Sequence, residues 1–509
     1  MANSPPPALD RLACDPLAIL PADVLLNVLD HIPFRERVRC LRVSRCWYGR
    51  LTAVPRLWRD AYFTGSLRTR STSAGSTSTT AATPGPSSQS FQRVVQWSGT
   101  KLRGLTVAHG DKLSPTALAQ LVKTQRPRLE RFGLTNARRI ESDLLLRTVV
   151  RLSATLTHLS LVGCKVTDAS VREILCHCWQ LRSLNLSHST RLSRFMFEQV
   201  RIRPPLTESP VAIKTGATGR GKRTYQATLS PVRASAGQPP AAVVYHLPLS
   251  PLHPPIQHFI FRDNDECAAP GIWATVCTYY AATLEELDWA HTGDVTLPML
   301  DQLAQCTRLR HLNLSGGKFR GAATPDLEPA LLHIAERCPQ LTKVYLARHT
   351  ELTESHLQCL LGLNTQLTLL DLTAVHCVSN AFLRTFSLHA PSLTHLNLSA
   401  CFLVEDTGVS HILKRCPQLV YLNVSSTAVT DLIVMRLLRY SRHLRWLWME
   451  SCPALSALGI RLMLSPSAFL TRLDVFSLFN CHKVDYETAR QVRAVMRPDA
   501  QFRFYIPNG

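Results

Sequence analysis

The sequence lacks the features of a membrane or secreted protein. Its apolar runs are far shorter than the roughly 20 residues that a helix needs to span a bilayer. The first residues, MANSPPPALDRLACDP, lack the basic region and following apolar stretch of a secretory signal. We therefore expect an intracellular protein without membrane contact, in the cytoplasm, the nucleus or both.

The chain also lacks a metal-binding cysteine pattern. Its 16 cysteines include no C-x-x-C pair, and the tightest cluster, Cys176-His177-Cys178, has no second cluster at zinc-finger spacing. Thiols in an intracellular chain are normally reduced, and unpaired cysteine behaves as a small apolar side chain. The sequence therefore predicts buried thiols, with no metal and no cofactor.

Acidic residues are few, 36 against 57 lysines and arginines, which gives a net charge of +21. The basic excess is concentrated in two segments: residues 34–59 hold eight arginines and one acid, and residues 203–255 hold six basic residues and one acid. A nucleic-acid-binding protein more often shows one basic face with interleaved aromatic residues. This distribution argues against a nucleic-acid partner.

What the chain does contain is a repeat. The pattern L-x-x-L-x-L or a close variant occurs thirteen times, mostly 25 to 29 residues apart. The units begin at Leu102, Leu129, Leu156, Leu181, Ile256, Leu284, Leu309, Leu341, Leu367, Leu393, Leu419, Leu444 and Leu473. Such a period is typical of leucine-rich repeats, in which each unit has a short strand and an outer helix.

One unit cannot bury its own leucines, so neighbouring units must stack. In residues 393–419, leucines at positions 1, 4 and 6 point inward, and Val409, Ile412 and Leu413 have helical spacing. The sequence therefore predicts an α/β fold: a curved solenoid of about thirteen repeats, with a parallel concave sheet and outer helices.

Changes in amino-acid composition divide the rest of the chain into segments. Residues 64–90 contain 15 serines and threonines among 27 residues, and residues 203–255 are rich in proline, glycine and basic residues. The predicted segments are a disordered N-terminus 1–19, a helical module 20–63, a flexible linker 64–90, repeats 91–202, a disordered insertion 203–255, repeats 256–490 and a tail 491–509.

The module 20–63 has closely spaced helices and more apolar surface than 45 residues can hide. It opens with Leu20-Pro21, contains Val43-Ser44-Arg45-x-Trp47 and closes with Leu57-Trp58. This stretch resembles an F-box, a small all-α domain. Followed by leucine-rich repeats, it resembles the F-box/leucine-rich-repeat family. Cysteines at position 9 and before the next unit fit the cysteine-containing repeat type: Cys164, Cys401, Cys452 and Cys481, and Cys178, Cys306, Cys338 and Cys416.

The resemblance implies a docking surface for a Skp-type adaptor and, through it, a cullin–RING ubiquitin ligase. The residues that it implies are Leu20, Pro21, Val24, Leu25, Val28, Leu29, Val43, Trp47 and Trp58. Some of these, Trp47 and Val43 in particular, have the alternative of forming the module's own core. The serine- and threonine-rich linker departs from the family's usual rigid junction and leaves the distance between adaptor and repeats unfixed.

Side chains between the buried leucines face the concave surface, where a protein substrate would bind. The candidates are His158, His311, Lys343, Tyr345, His395, Asn397, Tyr421, Trp446 and Trp448. Exposed Trp and Tyr on a rigid face are good anchors for a partner. The alternative is that the tail, FRFYIPNG, folds back over them.

These features together predict a non-catalytic substrate receptor of an SCF-type ubiquitin ligase. The chain has no G-x-S-x-G elbow and no H-E-x-x-H metal motif, so we expect no enzyme activity of its own. The alternative is a scaffold whose F-box binds the adaptor without directing ubiquitylation.

Overall fold

The fold was taken from a computed structural model of the chain. It describes residues 28–63 except 30, 33, 42 and 44, together with 88–98, 102–124, 128–189, 191–197, 200, 253–264, 269–320, 325–464 and 468–505. Leu20, Pro21, Val24 and Leu25 lie outside the described residues, as do segment 1–19 and most of the insertion 203–255.

The described strands form one open parallel sheet of 15 strands in chain order. They are β1 Asp60–Phe63, β2 Gly104–Val107, β3 Arg131–Thr135, β4 His158–Val162, β5 Ser183–Asn185, β6 His258–Ile260, β7 Glu286–Asp288, β8 His311–Asn313, β9 Lys343–Tyr345, β10 Leu369–Asp371, β11 His395–Asn397, β12 Tyr421–Asn423, β13 Trp446–Trp448, β14 Val475–Ser477 and β15 Gln501–Arg503. The thirteen predicted units are β2 to β14, so the solenoid fold is confirmed. Residues 186–257 intervene between β5 and β6, yet Ser183 pairs directly with His258.

Helices form the outer layer of the solenoid. In chain order they are α1 Phe34–Cys40, α2 Arg45–Ala53, α3 Ser88–Ser98, α4 Pro115–Thr124, α5 Ser142–Leu152, α6 Asp168–His177, α7 Ala269–Tyr280, α8 Leu297–Leu303, α9 Leu327–Arg337, α10 Glu354–Leu361, α11 Asn380–His389, α12 Asp406–Arg415, α13 Leu432–Tyr440, α14 Ala457–Arg461, α15 Ala468–Arg472 and α16 Tyr486–Val495. Single 3-10 turns lie at Pro55–Trp58, Gly110–Lys112, Arg194–Met196 and Leu462–Leu464. In the part of the chain that the structure describes, no helix combines the length and the apolar character of a membrane span.

Each repeat buries its leucines against the next repeat. In the unit from residue 393, Leu393, Leu396 and Leu398 are fully buried, and Ile412 of α12 closes the core from outside. The chain then leaves the strand through Ala400, whose φ of 58° lies in the left-handed region. The apolar interior is one continuous cluster from the N-terminal module to the last repeat.

The repeat cysteines connect neighbouring units by weak hydrogen bonds. The Sγ atoms of Cys401, Cys452 and Cys481 donate to backbone carbonyls one repeat earlier, at 3.1, 3.2 and 3.0 Å. Burial raises the pKa of the Cys401 and Cys452 thiols to about 12. The prediction of buried thiols is therefore confirmed at these positions.

The junction between the N-terminal module and the repeats differs from the sequence expectation. The module is not wholly helical, because its last residues form β1, which pairs with β2 from Asp60–Gly104 to Phe63–Val107. The Phe63 ring lies 5.8 Å from that of Phe91 in α3, whose first three residues are the last three of the predicted linker. The module and the solenoid therefore share one sheet and one core, and the separation between them is fixed.

An ion pair reinforces this junction across a glycine. Arg131 of β3 donates to the Asp60 carboxylate at 2.6 Å and so reaches across β2. A Cβ atom on Gly104 would lie 2.3 Å from the same carboxylate oxygen. Glycine at this position leaves room for the contact between the first and third strands.

Replacing Phe91 by alanine tests the shared core. We expect Phe91→Ala to cost about 3 kcal/mol, because it opens a cavity where α3 meets β1. Hydrogen exchange should accelerate across residues 34–63 and 104–107. The matched control is Phe382→Ala in α11, an equally buried phenylalanine far from the junction. If Phe91→Ala left exchange in the module unchanged, the module and the solenoid would be independent units.

Candidate functional site

The structure separates the described adaptor-binding candidates into two groups. Val28 and Val43 are exposed, by 50% and 63% of their surface. Leu29 and Trp58 are buried in the module, and the Trp58 Nε1 donates to the Leu51 carbonyl at 2.7 Å. Trp47 is half-buried and packs against the core. Leu29 and Trp58 therefore belong to the module's own core, whereas Val43, expected there as an alternative, faces outward.

The concave candidates occupy two rows that cross the strands. The third residue of each unit is the first residue of its strand. The fifth residue follows two residues later, and the residue between them is buried. Register places His311 beside Lys343, Asn313 beside Tyr345, and His395 beside Tyr421, which is itself beside Trp446. Eight of the nine candidates thus lie together on β8 to β13. His158 is exposed on β4, four strands away from β8.

A charged network that the sequence analysis did not single out lies on β6 and β7. His258 Nδ1 lies 2.9 Å from Glu286 Oε2, and Arg262 Nε donates to the Asp288 carboxylate at 2.6 Å. The hydrogen bond to Glu286 raises the pKa of His258, and the same bond lowers the pKa of Glu286. The signal was available in the repeat register, since His258 and Glu286 are both third-position residues of consecutive units.

Lys343 lies on this surface without a carboxylate partner among the described residues. It is half-buried on β9, and within the described ranges no carboxylate lies at ion-pair distance from its ammonium. Burial first, and the charge of Lys343 second, lower the pKa of both His311 and His395. These histidines are therefore neutral near pH 7, and Lys343 supplies the positive charge.

A cavity of about 220 Å³ opens next to Lys343 on the same surface. Its lining residues are Tyr345, Leu369, Leu370, Asp371, His395, Leu396, Asn397 and Tyr421. It is smaller than the roughly 300 Å³ at which small-molecule pockets begin. Its apolar floor at Leu369 and its aromatic walls fit one inserted side chain.

Fifth-position residues also hold the backbone as it leaves each strand. Asn397 Oδ1 accepts from the Ser399 amide at 3.1 Å, and Asn423 Oδ1 accepts from the Ser425 amide at 2.9 Å. Asp371 receives both the amide and the hydroxyl of Thr373, at 2.9 and 2.6 Å. Asn397, predicted as a substrate-binding residue, thus uses its carbonyl oxygen within the turn and leaves its amide nitrogen for a partner.

The aromatic patch on β12 and β13 is partly covered. The His395 ring stacks with those of Tyr421 and Trp446, at 5.9 and 6.3 Å between centroids. Residues 501–503 of the tail form β15 beside β14, and the Arg503 guanidinium lies 4.9 Å from the Trp448 centroid. The tail therefore extends the sheet, and it shields Trp448 through Arg503.

The described residues contain no group of three or more His, Cys, Asp or Glu side chains placed to hold a metal ion. The arrangement offers instead a rigid polar and aromatic surface with a side-chain-sized cavity beside Lys343. Such a surface is suited to binding another protein.

Two comparisons with known proteins agree with this architecture. Residues 17–64 match the family model of F-box-like domains. The fold is similar to a solved structure described as the crystal structure of the Rad7 and Elc1 complex in yeast. That match has a TM-score of 0.53 and 15% sequence identity, and it covers 82% of this chain and 88% of that chain. The resemblance to proteins that combine an F-box with leucine-rich repeats is confirmed.

The His258–Glu286 pair gives the surface a defined pH dependence. His258 has a raised pKa, so its contribution to stability is complete below 6.5 and is lost as pH rises through the raised value. Glu286 has a lowered pKa, so its contribution is present above 4.5 and is lost as pH falls through the lowered value. The pair is therefore fully formed between about pH 4.5 and 6.5.

We expect Glu286→Gln to lower the pKa of His258, because the carboxylate charge is removed. Histidine-selective NMR titration of the full chain measures this directly. Glu450→Gln, a change in the loop after β13, should leave the His258 titration unaltered. An unchanged His258 midpoint in Glu286→Gln would show that the pair does not form in solution.

Proposed function

We propose that this chain, an F-box-like domain joined to a leucine-rich-repeat solenoid, is the substrate-recognition subunit of an SCF-type (Skp–cullin–F-box) ubiquitin ligase. The observation that carries the proposal is the F-box-like match at residues 17–64, whose last strand belongs to the same sheet as the concave surface. One rigid body would then carry both an adaptor site and a substrate site. The similar yeast structure is a complex of two proteins, which supports a solenoid that assembles with a partner.

The adaptor site would lie on the outer side of the module. Val28, Val43 and Tyr48 are exposed apolar residues of the module. Exposed apolar side chains of this size are typical of a surface that a partner covers. Leu20, Pro21, Val24 and Leu25 would extend this surface, as the family resemblance implies.

The substrate would bind to the concave surface between β8 and β13. Lys343 would attract an acidic group, the cavity at Leu369 would take one side chain, and Tyr421 and Trp446 would provide an aromatic anchor. Buried aromatic contacts of this kind carry most of the free energy at many protein interfaces. His158, on β4, would contact only a substrate that extends across four more strands.

The role in ubiquitin transfer would be positional and non-catalytic. Holding a substrate lysine near a conjugating enzyme that carries ubiquitin turns a bimolecular encounter into an effectively intramolecular step. A fixed distance between the two sites makes this effect possible. The shared sheet and core at the junction meet that requirement. The expected location is the cytoplasm, the nucleus or both.

Adaptor docking is tested by the double variant Leu20→Ala/Pro21→Ala. We expect the variant to recover much less Skp-type adaptor than the intact chain in a pull-down from cells. Tyr62→Ala is the control, because Tyr62 is exposed on β1 and lies on the concave side. Equal adaptor recovery by the double variant and the intact chain would remove the proposed docking surface.

Substrate recognition is tested by proximity labelling of cells that express Leu20→Ala/Pro21→Ala. A point variant is better than deletion of the module, because deletion would also remove β1 from the sheet. We expect this variant to label specific partners, which should also accumulate in the cells. Adding Tyr421→Ala/Trp446→Ala should abolish the labelling of these partners. Thr407→Ala, on an outer helix, should keep them. Unchanged turnover of every specific partner would favour a scaffold that binds the adaptor without directing ubiquitylation.

A further inference from the structure

The outer helical layer carries an apolar patch that the proposed function does not use. The patch consists of Leu432 and Met435 on α13, Leu458 on α14 and Leu462 in the turn that follows. These four side chains expose between 43% and 73% of their surface. We refer to them as the outer patch.

Contacts between the helix starts bring the four residues together. The Asp431 carboxylate accepts from the Ser456 amide at 2.8 Å and from the Ser456 hydroxyl at 2.6 Å. A Cβ atom on Gly459 would lie 2.1 Å from the same carboxylate. Leu432 follows Asp431 directly and Leu458 precedes Gly459, so these two leucines lie on the adjoining starts of α13 and α14. The turn at Leu462 also packs against α13.

The residues of the outer patch are not part of the hydrophobic core. The inward face of α13 is formed by Ile433, Val434 and Leu437, and that of α14 includes Ile460, all of which are buried. The preceding helix, α12, has the same geometry with polar residues on its outer face. At the positions that match Leu432, Met435, Arg436 and Arg439, α12 has Thr407, Ser410, His411 and Lys414. The two helices therefore differ in their outer faces, which are apolar at the start of α13 and polar along α12.

The patch continues into a basic stripe. Arg436 and Arg439 follow Met435 on the exposed face of α13, and Arg442 follows the helix. Among the described residues, neither Arg436 nor Arg442 has an ion pair or a side-chain hydrogen bond, and Arg439 lies 5.3 Å from the Tyr440 ring centroid. Of the six arginines in residues 432–473, Arg445 and Arg461 pair with Asp474 and Asp485, which leaves the arginines of the stripe without an acidic partner among the described residues.

We propose that the outer patch is the docking site for an acidic amphipathic helix of another protein. Leu432 and Met435, three residues apart, and Leu458 and Leu462, four apart, line two adjacent helices. A third helix can lay an apolar stripe along them. Acidic residues beside that stripe would meet the free guanidinium groups of Arg436 and Arg442. A bilayer fits less well, because a lipid-bound helix immerses a whole apolar face, and α13 turns that face into the core.

Photo-crosslinking in cells identifies the occupant. The crosslinking residue p-benzoylphenylalanine is placed at position 432 of the full chain and, as the matched control, at the equivalent position 407 of α12. We expect position 432 alone to crosslink a partner segment that has apolar residues three to four apart and flanking Asp or Glu. Equal crosslinking at both positions, a segment without that pattern, or crosslinking only to another copy of this chain would overturn the proposal.

Binding of the crosslinked segment, made as a synthetic peptide, is then measured on the purified full chain by fluorescence anisotropy. We expect Leu432→Ser/Leu458→Ser and, separately, Arg436→Glu/Arg442→Glu to weaken binding by about tenfold or more. Lys414→Glu should change it by less than about twofold. Undiminished binding by either double variant would refute the proposed contacts. Since both variants change exposed residues, their melting temperatures should match that of the intact chain.

The lipid alternative has its own measurement. Vesicles of phosphatidylcholine and phosphatidylserine in equal parts are floated with the intact chain and with Leu432→Ser/Leu458→Ser. We expect the intact chain to remain unbound. Flotation of the intact chain that the double variant loses would assign the outer patch to an anionic membrane instead.

Discussion

The structure depends on the burial of leucine across repeat boundaries. No unit encloses its own inner face, so each strand and helix is stable only when the next unit covers it. This requirement leaves one surface unprotected at each end of the array. The N-terminal module covers the first unit with β1 and the ring of Phe63, and the tail covers the last with β15 and Phe502, whose ring lies 5.8 Å from that of Phe476. Segments that look like appendages in the sequence are thus parts of the solenoid.

The periodic part of the fold could be predicted from sequence because its physics is local and repeated. Leucine spacing gave thirteen strands and their register, and the register then placed third- and fifth-position residues on one surface. The end strands were missed because Asp60–Phe63 and Gln501–Arg503 do not carry the leucine pattern, and their pairing depends on a neighbour distant in sequence. The fixed junction was missed for the same reason, since a serine- and threonine-rich segment separates Phe63 from Phe91 in the chain.

The location of the candidate site on one surface could be predicted from the sequence, but the roles of its individual side chains could not. Strand order converts spacings of 26 and 25 residues into contacts, which is how His395, Tyr421 and Trp446 come together. Composition could not show that Asn397 uses its oxygen to hold a turn, or that the charge of Glu286 is taken up by His258 while Lys343 stays unpaired. Those roles depend on side-chain rotamers and on which neighbouring group bonds to a given atom. The same holds for Val43 and Trp58, whose exposure and burial follow from how short helices pack.

The position of β1 has a consequence for the order in which the protein can be made. The Phe63 ring contacts Phe34 within the module, but it meets Phe91 only in α3, and β1 finds its strand partner only at residues 104–107. During synthesis the N-terminal module therefore cannot be completed when its own last residue leaves the ribosome. It must wait until the first repeat has emerged. A nascent chain would complete its F-box-like domain only once the start of the repeat array exists, so a product truncated before the first repeat would lack part of that domain's sheet and core.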